Sequence, residues 1–303
     1  MRIIVHGQQA FGKAVCEALI DRGEDVIAAY CAPEKEGQKT DPLKEYAQSK
    51  GLPVYQPKSY RKQEVWDQFA ELKPELCVMA FVTLFVPEEV LNTPTHGTIQ
   101  YHPSLLPLHR GPSSINWPII WGSTRTGLTI FWPDNGLDTG PVLLQKEIDI
   151  TPDDTLGTVY FDRLFPMGVE ALLEGLDRVK AGNAPKIVQD ESKATYEGWC
   201  KKENVEIDWN KPVDEVYNLI RGANPAPGAW TTHGGQTLQI FDAGKTDASG
   251  TPGEVIEVSA ETITVAAQGG AVLVKRVRPE GGGKVPAGEF AGGAGLQAGA
   301  KLG

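Results

Sequence analysis

The run Leu76-Cys77-Val78-Met79-Ala80-Phe81 is nearly continuous apolar sequence. A strand that faces water on one side alternates apolar and polar residues. A continuously apolar strand must be covered on both faces, as strands of parallel sheets are. The preceding segments fit that demand. Arg2-Ile3-Ile4-Val5 reads as a short strand running into Gly7, and Ala10 to Asp21 has helical spacing, with Phe11, Val15, Leu19 and Ile20 on one side. Asp25 to Tyr30 and Leu52 to Tyr55 read as strands, Pro42 to Lys50 and Gln63 to Leu72 as helices. After the apolar run come a helical turn at Pro87 to Leu91 and a strand at Gly97 to Tyr101. This alternation predicts a Rossmann-like, doubly wound and mostly parallel α/β sheet, whose ligands bind beyond the carboxyl ends of the strands.

Further along, Pro112 to Trp121 reads as a helix and Gly127 to Trp132 and Val142 to Ile150 as strands, joined by the Asp134–Gly140 loop. Asp154 to Gly182 reads as one long amphipathic helix, with Asp153 or Asp154 as its N-cap and Gly182 at its stop. A polar, irregular connection follows. From about residue 205 the pattern changes to a helix at Val213 to Gly222 and short strands at Leu238–Phe241, Gly253–Val258, Thr262–Ala266 and Val272–Val277, punctuated by Gly and Pro. That pattern predicts a small, OB-like β-barrel. The 303 residues therefore divide into a domain over 1–200 and a second over 205–303.

Composition narrows the function. The formal net charge is −10 and no cluster of Lys and Arg stands out, so nucleic acid is not the expected partner. No apolar run approaches the roughly 18 residues of a membrane span. The first residues are too short an apolar stretch for a secretory signal, so a cytoplasmic protein is expected. Cys16, Cys31, Cys77 and Cys200 are scattered without metal-ligand spacing, which predicts reduced thiols and no metal.

Two segments carry chemistry. His102 lies where the strand ending at Tyr101 runs out, followed by Pro103-Ser104-Leu105-Leu106-Pro107, and Asp138 lies in the tight loop Gly136-Leu137-Asp138-Thr139-Gly140. Each alone has a bland reading, as a loop histidine or a turn aspartate. Together, on loops at the active edge of an α/β sheet, they suit proton transfer during attack on a carbonyl. Gln100 shares the face of His102 if the pleat continues, and its amide can donate to an oxyanion or stand as a polar strand-end residue. Arg110 reads as a structural partner for a carboxylate, while His6, His96 and His233 read as satisfied or solvated. The first turn, Gly7-Gln8-Gln9-Ala10-Phe11-Gly12, lacks the middle glycine of a dinucleotide fingerprint and reads as a plain strand-to-helix turn.

At His102-Pro-Ser-Leu-Leu-Pro107, Arg110-Gly111 and Gly136-Leu-Asp-Thr-Gly140 the chain resembles the 10-formyltetrahydrofolate-using formyltransferases and hydrolases. The similarity runs nearly end to end, through Ser113–Trp117, Ile130–Trp132, Ala194–Gly198, Ile220–Gly222 and Pro227–Trp230. Within the family it looks closest to the amino-terminal hydrolase domain of 10-formyltetrahydrofolate dehydrogenase, and more distantly to methionyl-tRNA formyltransferase. The resemblance implies catalytic roles for His102 and Asp138, and the pleat adds Gln100 as a third catalytic candidate. It places folate near Leu84, Phe85 and Val86, the Asp134–Asp138 loop, and Ser104, Leu105, Leu106 and Pro107.

The implied activity is removal of the formyl group of 10-formyltetrahydrofolate, used as substrate with no metal, to give tetrahydrofolate and formate in one-carbon metabolism. The alternatives are transfer to a small amine such as an amino sugar, transfer to methionyl-tRNA, and folate binding without catalysis. Two departures stand out. Gln100 replaces both the Asn of the family's transferases and the apolar residue of the hydrolase domain. The stretch from Cys31 to Asp41 is shorter than the glycine- and basic-rich loop of the tRNA-formylating members, which argues against tRNA.

Overall fold

Arg2–Gly7 forms β1, and every residue after Arg2 is buried, as the β-branched sequence requires. In this computed structural model, which describes residues 1–34 and 37–303, the chain alternates as expected. α1 (Gln9–Asp21), β2 (Asp25–Tyr30), α2 (Pro42–Ser49), β3 (Val54–Tyr55) and α3 (Gln63–Glu71) follow β1. Next come β4 (Leu76–Ala80), α4 (Glu88–Leu91), β5 (Thr98–His102), α5 (Asn116–Ile120), β6 (Arg125–Phe131) and β7 (Val142–Asp149). The strands form one sheet in the order β3-β2-β1-β4-β5-β6-β7. The pairs from β3 to β5 are parallel, and β6 runs antiparallel to β5. All five residues of β4 are buried, so the apolar run lies at the centre of the sheet.

Both faces are covered. On one, Phe11 of α1 meets Tyr101 of β5 at a ring distance of 4.4 Å and Phe165 at 5.2 Å. A Cβ at Gly168 would stand 2.6 Å from the Tyr101 ring, so glycine there lets its helix reach the sheet. On the other face, Cys77 and Met79 pack into a cluster with Tyr60, Phe69, Val90 and Leu91.

Two expected helices differ. The one expected over Pro112 to Trp121 is regular only over Asn116–Ile120, and Ser113 has a left-handed φ of 63°. The long helix expected from Asp154 contains a π-helical stretch, Thr158–Leu164, before α6 (Phe165–Lys180). Pro166 has no N–H to offer the preceding turn, which disfavours a regular α-helix there. Its start is fastened by Thr155 and Thr158, each hydroxyl accepting the other's backbone N–H at 3.2 and 3.0 Å. Asp154 instead accepts from the N–H of Thr151 and the hydroxyl of Thr158.

The later strands are antiparallel. α7 (Val213–Gly222) precedes β8 (Ala229–His233), β9 (Gln236–Ile240), β10 (Ala243–Thr246), β11 (Val255–Val258), β12 (Ile263–Ala267) and β13 (Gly270–Val274). β14 (Arg276–Pro279), β15 (Val285–Pro286) and α8 (Ala287–Ala294) complete the chain. They form two four-stranded sheets, β10-β13-β12-β11 and β15-β14-β9-β8, around a core that includes Trp209, Ile220, Leu238, Val265 and Val272. The strand expected over Val272–Val277 is broken at Lys275. There the N–H groups of Lys275 and Arg276 both donate to the Asp242 carbonyl, and the chain passes from one sheet to the other.

Backbone contacts divide the chain into two units. One comprises Met1–Arg110, Gly127–Glu147 and Arg163–Tyr196, the other Gly111–Thr126, Ile148–Asp162 and Glu197–Gly303. Among the described residues, no helix is long and apolar enough to cross a membrane.

Candidate active site

The loop that carries Asp138 is built from its own side chains. Asp134 Oδ1 accepts the N–H of Gly136 at 3.0 Å and the hydroxyl of Thr139 at 2.5 Å, closing a turn. A Cβ at Gly136 would fall on the Thr139 hydroxyl, and one at Gly140 on the Trp132 carbonyl, so both positions demand glycine. Asn135 exchanges hydrogen bonds with Glu88, its amide donating to the carboxylate and its oxygen accepting the backbone N–H. The result holds Asp138 in the left-handed region, at φ 57°.

His102, the last residue of β5, is buried beside it. Its Nδ1 lies 3.6 Å from Asp138 Oδ2, and Asp138 is buried as well. Nε2 of His102 is 2.9 Å from the carbonyl oxygen of His109. A carbonyl only accepts, so Nε2 carries a proton and Nδ1 is the nitrogen left to exchange one with the Asp138 side. The His109 segment is itself fixed. Thr195 accepts the His109 N–H through its hydroxyl and donates its own N–H to the Pro107 carbonyl, and the Arg110 N–H donates to the Thr195 carbonyl.

Gln100 lies on the same face of β5, half-buried, two residues before His102. It makes no hydrogen bond to His102 or Asp138. Ser104 is buried, its hydroxyl donating to the Leu108 carbonyl, and the N–H of Leu106 donates to the Thr129 hydroxyl. Leu105, Leu106 and Pro107 line an open cavity of about 450 Å³ with Gln145, Glu147 and Lys193. Leu84 lines a much smaller one, about 10 Å³, with His6, Gln8 and Phe81. Val86 is buried in the core cluster, whereas Phe85 is 66% exposed, an apolar ring left to water. Asp134 serves the loop turn. The structure thus brings His102 and Asp138 together, with Gln100 on the same face of β5, while Leu84 lines one cavity and Leu105–Pro107 another.

Arg110 is fully buried, as a structural partner should be. It donates to both carboxylate oxygens of Glu191, to the oxygen of the Gln189 amide and to the Tyr196 hydroxyl. Gln189 was not visible as a functional candidate in the sequence, since it lies in the polar connection with no periodic or motif signal.

The formyl transferase family profile matches residues 1–176, and the formyl transferase C-terminal domain profile matches residues 200–295. The chain belongs to the formyl transferase family. It is 40% identical to the cytosolic 10-formyltetrahydrofolate dehydrogenase of Xenopus tropicalis, over 96% of this chain but 34% of that protein. The chain spans about a third of the length of such relatives. It is also 39% identical to the methionyl-tRNA formyltransferase of Geotalea daltonii, over 100% of this chain and 98% of that one. Among solved structures, HypX from Aquifex aeolicus in complex with tetrahydrofolic acid superposes with a TM-score of 0.71 at 20% identity, covering 96% of this chain and 47% of HypX. The sugar 3N-formyl transferase WlaRD gives a TM-score of 0.69 at 16% identity, covering 91% and 97%. These two likenesses concern the fold.

In this formyl transferase family member the first strand-to-helix turn is closed by the protein itself. Asp41 accepts the N–H of Gln9 at 2.8 Å and that of Leu43 at 2.9 Å, occupying the start of α1 where a dinucleotide fingerprint would seat a phosphate. Lys35 and Glu36, part of the short stretch between Cys31 and Asp41, lie outside the described residues.

Proposed function

We propose that this formyl transferase family member takes 10-formyltetrahydrofolate as substrate and hydrolyses its formyl group. The observation that carries the reading is the buried pair of His102 and Asp138, with Nδ1 facing the carboxylate at 3.6 Å and Nε2 already committed to a carbonyl. Asp138 takes a proton from a water, whose oxygen forms a bond to the formyl carbon. Asp138 passes that proton to His102 Nδ1, and the resulting Nδ1–H donates to the oxyanion that develops. As the bond from carbon to the folate nitrogen breaks, that nitrogen receives the proton taken from water, delivered by His102 Nδ1. The products are formate and tetrahydrofolate. General acid–base help of this kind contributes about 10²- to 10⁴-fold, and an oxyanion donor about 10²- to 10³-fold.

Gln100, on the His102 face of β5, is the second donor in this reading. The folate lies against Leu84, Phe85 and Val86, the Asp134–Asp138 loop and Ser104–Pro107, within a catalytic domain over 1–200. A second, small domain covers 205–303. The likeness to 10-formyltetrahydrofolate dehydrogenases favours water as the acceptor. Incubating the protein with 10-formyltetrahydrofolate and no amine tests this. Formate and tetrahydrofolate released in equal amounts are expected, and their absence overturns hydrolysis.

A second reading, transfer to the amine of methionyl-tRNA, is favoured by the match along 98% of a methionyl-tRNA formyltransferase. Formyl-methionyl-tRNA formed at least tenfold faster than formate would decide for it.

A further inference from the structure

We propose that Gln189 is the positioning residue of the catalytic carboxylate, and that the buried Arg110 holds it in that role. The inference rests on the reading of Asp138 as the base. The Gln189 amide nitrogen donates to two backbone carbonyls of the Asp138 loop, Asp138 itself at 2.9 Å and Gly140 at 2.7 Å. These bonds flank Thr139, and they grip the backbone where Asp138 is held at a left-handed φ of 57°. Aspartate visits this region more readily than most residues, and the two bonds hold it there. One amide supplies both hydrogens to the turn.

The other end of the Gln189 side chain fixes which way the amide faces. Its oxygen accepts from Arg110 Nε at 3.2 Å and from Nη2 at 2.8 Å. A guanidinium can only donate, so the amide oxygen must face Arg110 and the NH₂ must face the loop. Arg110 is fully buried and is held in turn by Glu191 and Tyr196. The chain of bonds therefore runs from Glu191 and Tyr196 through the guanidinium and the amide to the carbonyl of Asp138. Arg110 also neighbours His109, whose carbonyl fixes the Nε2 of His102. One buried cation thus stands behind both members of the pair. Every link fixes backbone or an amide; none touches the reacting atoms, so Gln189 acts through Asp138.

Gln189→Glu is the informative variant. It keeps the shape and the acceptor for Arg110 but loses both donors to the loop. Gln189→Asn keeps the donors on a shorter arm and serves as the second variant, which is expected to recover part of the lost rate. In the full-length protein with 10-formyltetrahydrofolate, Gln189→Glu is expected to lower kcat by 10- to 100-fold while KM moves by less than threefold. In an Asp138→Ala background the same substitution is expected to change the residual rate by less than twofold, because the residue it acts through is gone. A folded Gln189→Glu protein whose kcat stays within twofold of wild type overturns the inference, and so does a folded Gln189→Asn protein whose kcat falls as far as that of Gln189→Glu. So does an equal fall in both backgrounds. If Asp138→Ala alone retains wild-type turnover, the reading of Asp138 as base fails first, and that failure is visible before any Gln189 variant is made.

Discussion

Two histidines stand at the carboxyl ends of parallel strands in one mixed sheet, His6 on β1 and His102 on β5, and among the described residues only His102 faces a carboxylate. His6 is buried among Tyr30 and Tyr60, its Nε2 hydrogen-bonded with the Tyr60 hydroxyl at 3.2 Å. Burial pushes its pKa down to about 3, so it stays neutral and finished. His102 is as buried, yet its Nδ1 meets Asp138 and its Nε2 is pinned by a carbonyl. Burial makes a histidine quiet. A carboxylate delivered by a separate loop, held by glycines and its own Asx turn, sets a second titratable group beside one. The surroundings of β1 go further and close themselves: Asp41 fills the start of α1 that a nucleotide would otherwise use.

The contrast can be broken most severely at Asp138. Asp138→Ala is expected to lower the rate of formate release about 10³-fold, in the range set by loss of a general base, while leaving the thermal unfolding midpoint within a few degrees of wild type. Equal loss of folding would make Asp138 a structural residue instead.

At the quiet histidine the expected effect is on stability and not on rate. The folded pKa of His6 lies below its unfolded value of 6.5, so the unfolded chain binds the proton first. Stability from this group is fully present above pH 6.5 and is lost as pH falls toward 3, at up to about 1.4 kcal/mol per pH unit. Denaturant unfolding across that window, compared with His6→Asn, should show the slope flattened in the variant with kcat within threefold of wild type.

Smaller effects are expected at the closed turn. Asp41→Ala removes the acceptor for the first N–H groups of α1 and α2 and should cost about 1–2 kcal/mol in urea unfolding, with turnover unchanged within twofold. Gln9 has a left-handed φ of 61°. Gln9→Gly restores the missing fingerprint glycine and should stabilise by about 1 kcal/mol or less. Titration should find no gain in affinity for a dinucleotide, since Asp41 keeps the seat. Measurable binding would show that the glycine, and not the aspartate, closes the turn.

The parallel core was legible because its signal is local. The continuously apolar Leu76–Ala80 lies inside the covered sheet, Phe81 beyond the strand end is exposed, and the strand and helix periods around the run are distinct. His102 and Asp138 were legible through the motifs that carry them. What the sequence hid depends on contacts distant in the chain. The π-helical stretch at Thr158–Leu164 keeps a near-helical period, and only Pro166 hints at it. The break at Lys275 follows from its bond to Asp242, which no apolar pattern encodes. Gln189 sits in a polar connection where one more glutamine carries no signal. Its meaning comes from Arg110, 79 positions earlier, and from the loop carbonyl it grips, 51 positions earlier.

The most direct test of the account is single-turnover reaction of the full-length protein with 10-formyltetrahydrofolate in ¹⁸O-labelled water, with no amine present. Formate carrying one labelled oxygen is expected at the enzymic rate, with a rate near the spontaneous one for Asp138→Ala. Formate formation no faster than the spontaneous rate in the wild-type protein, with turnover appearing only when an amine is added, would contradict it.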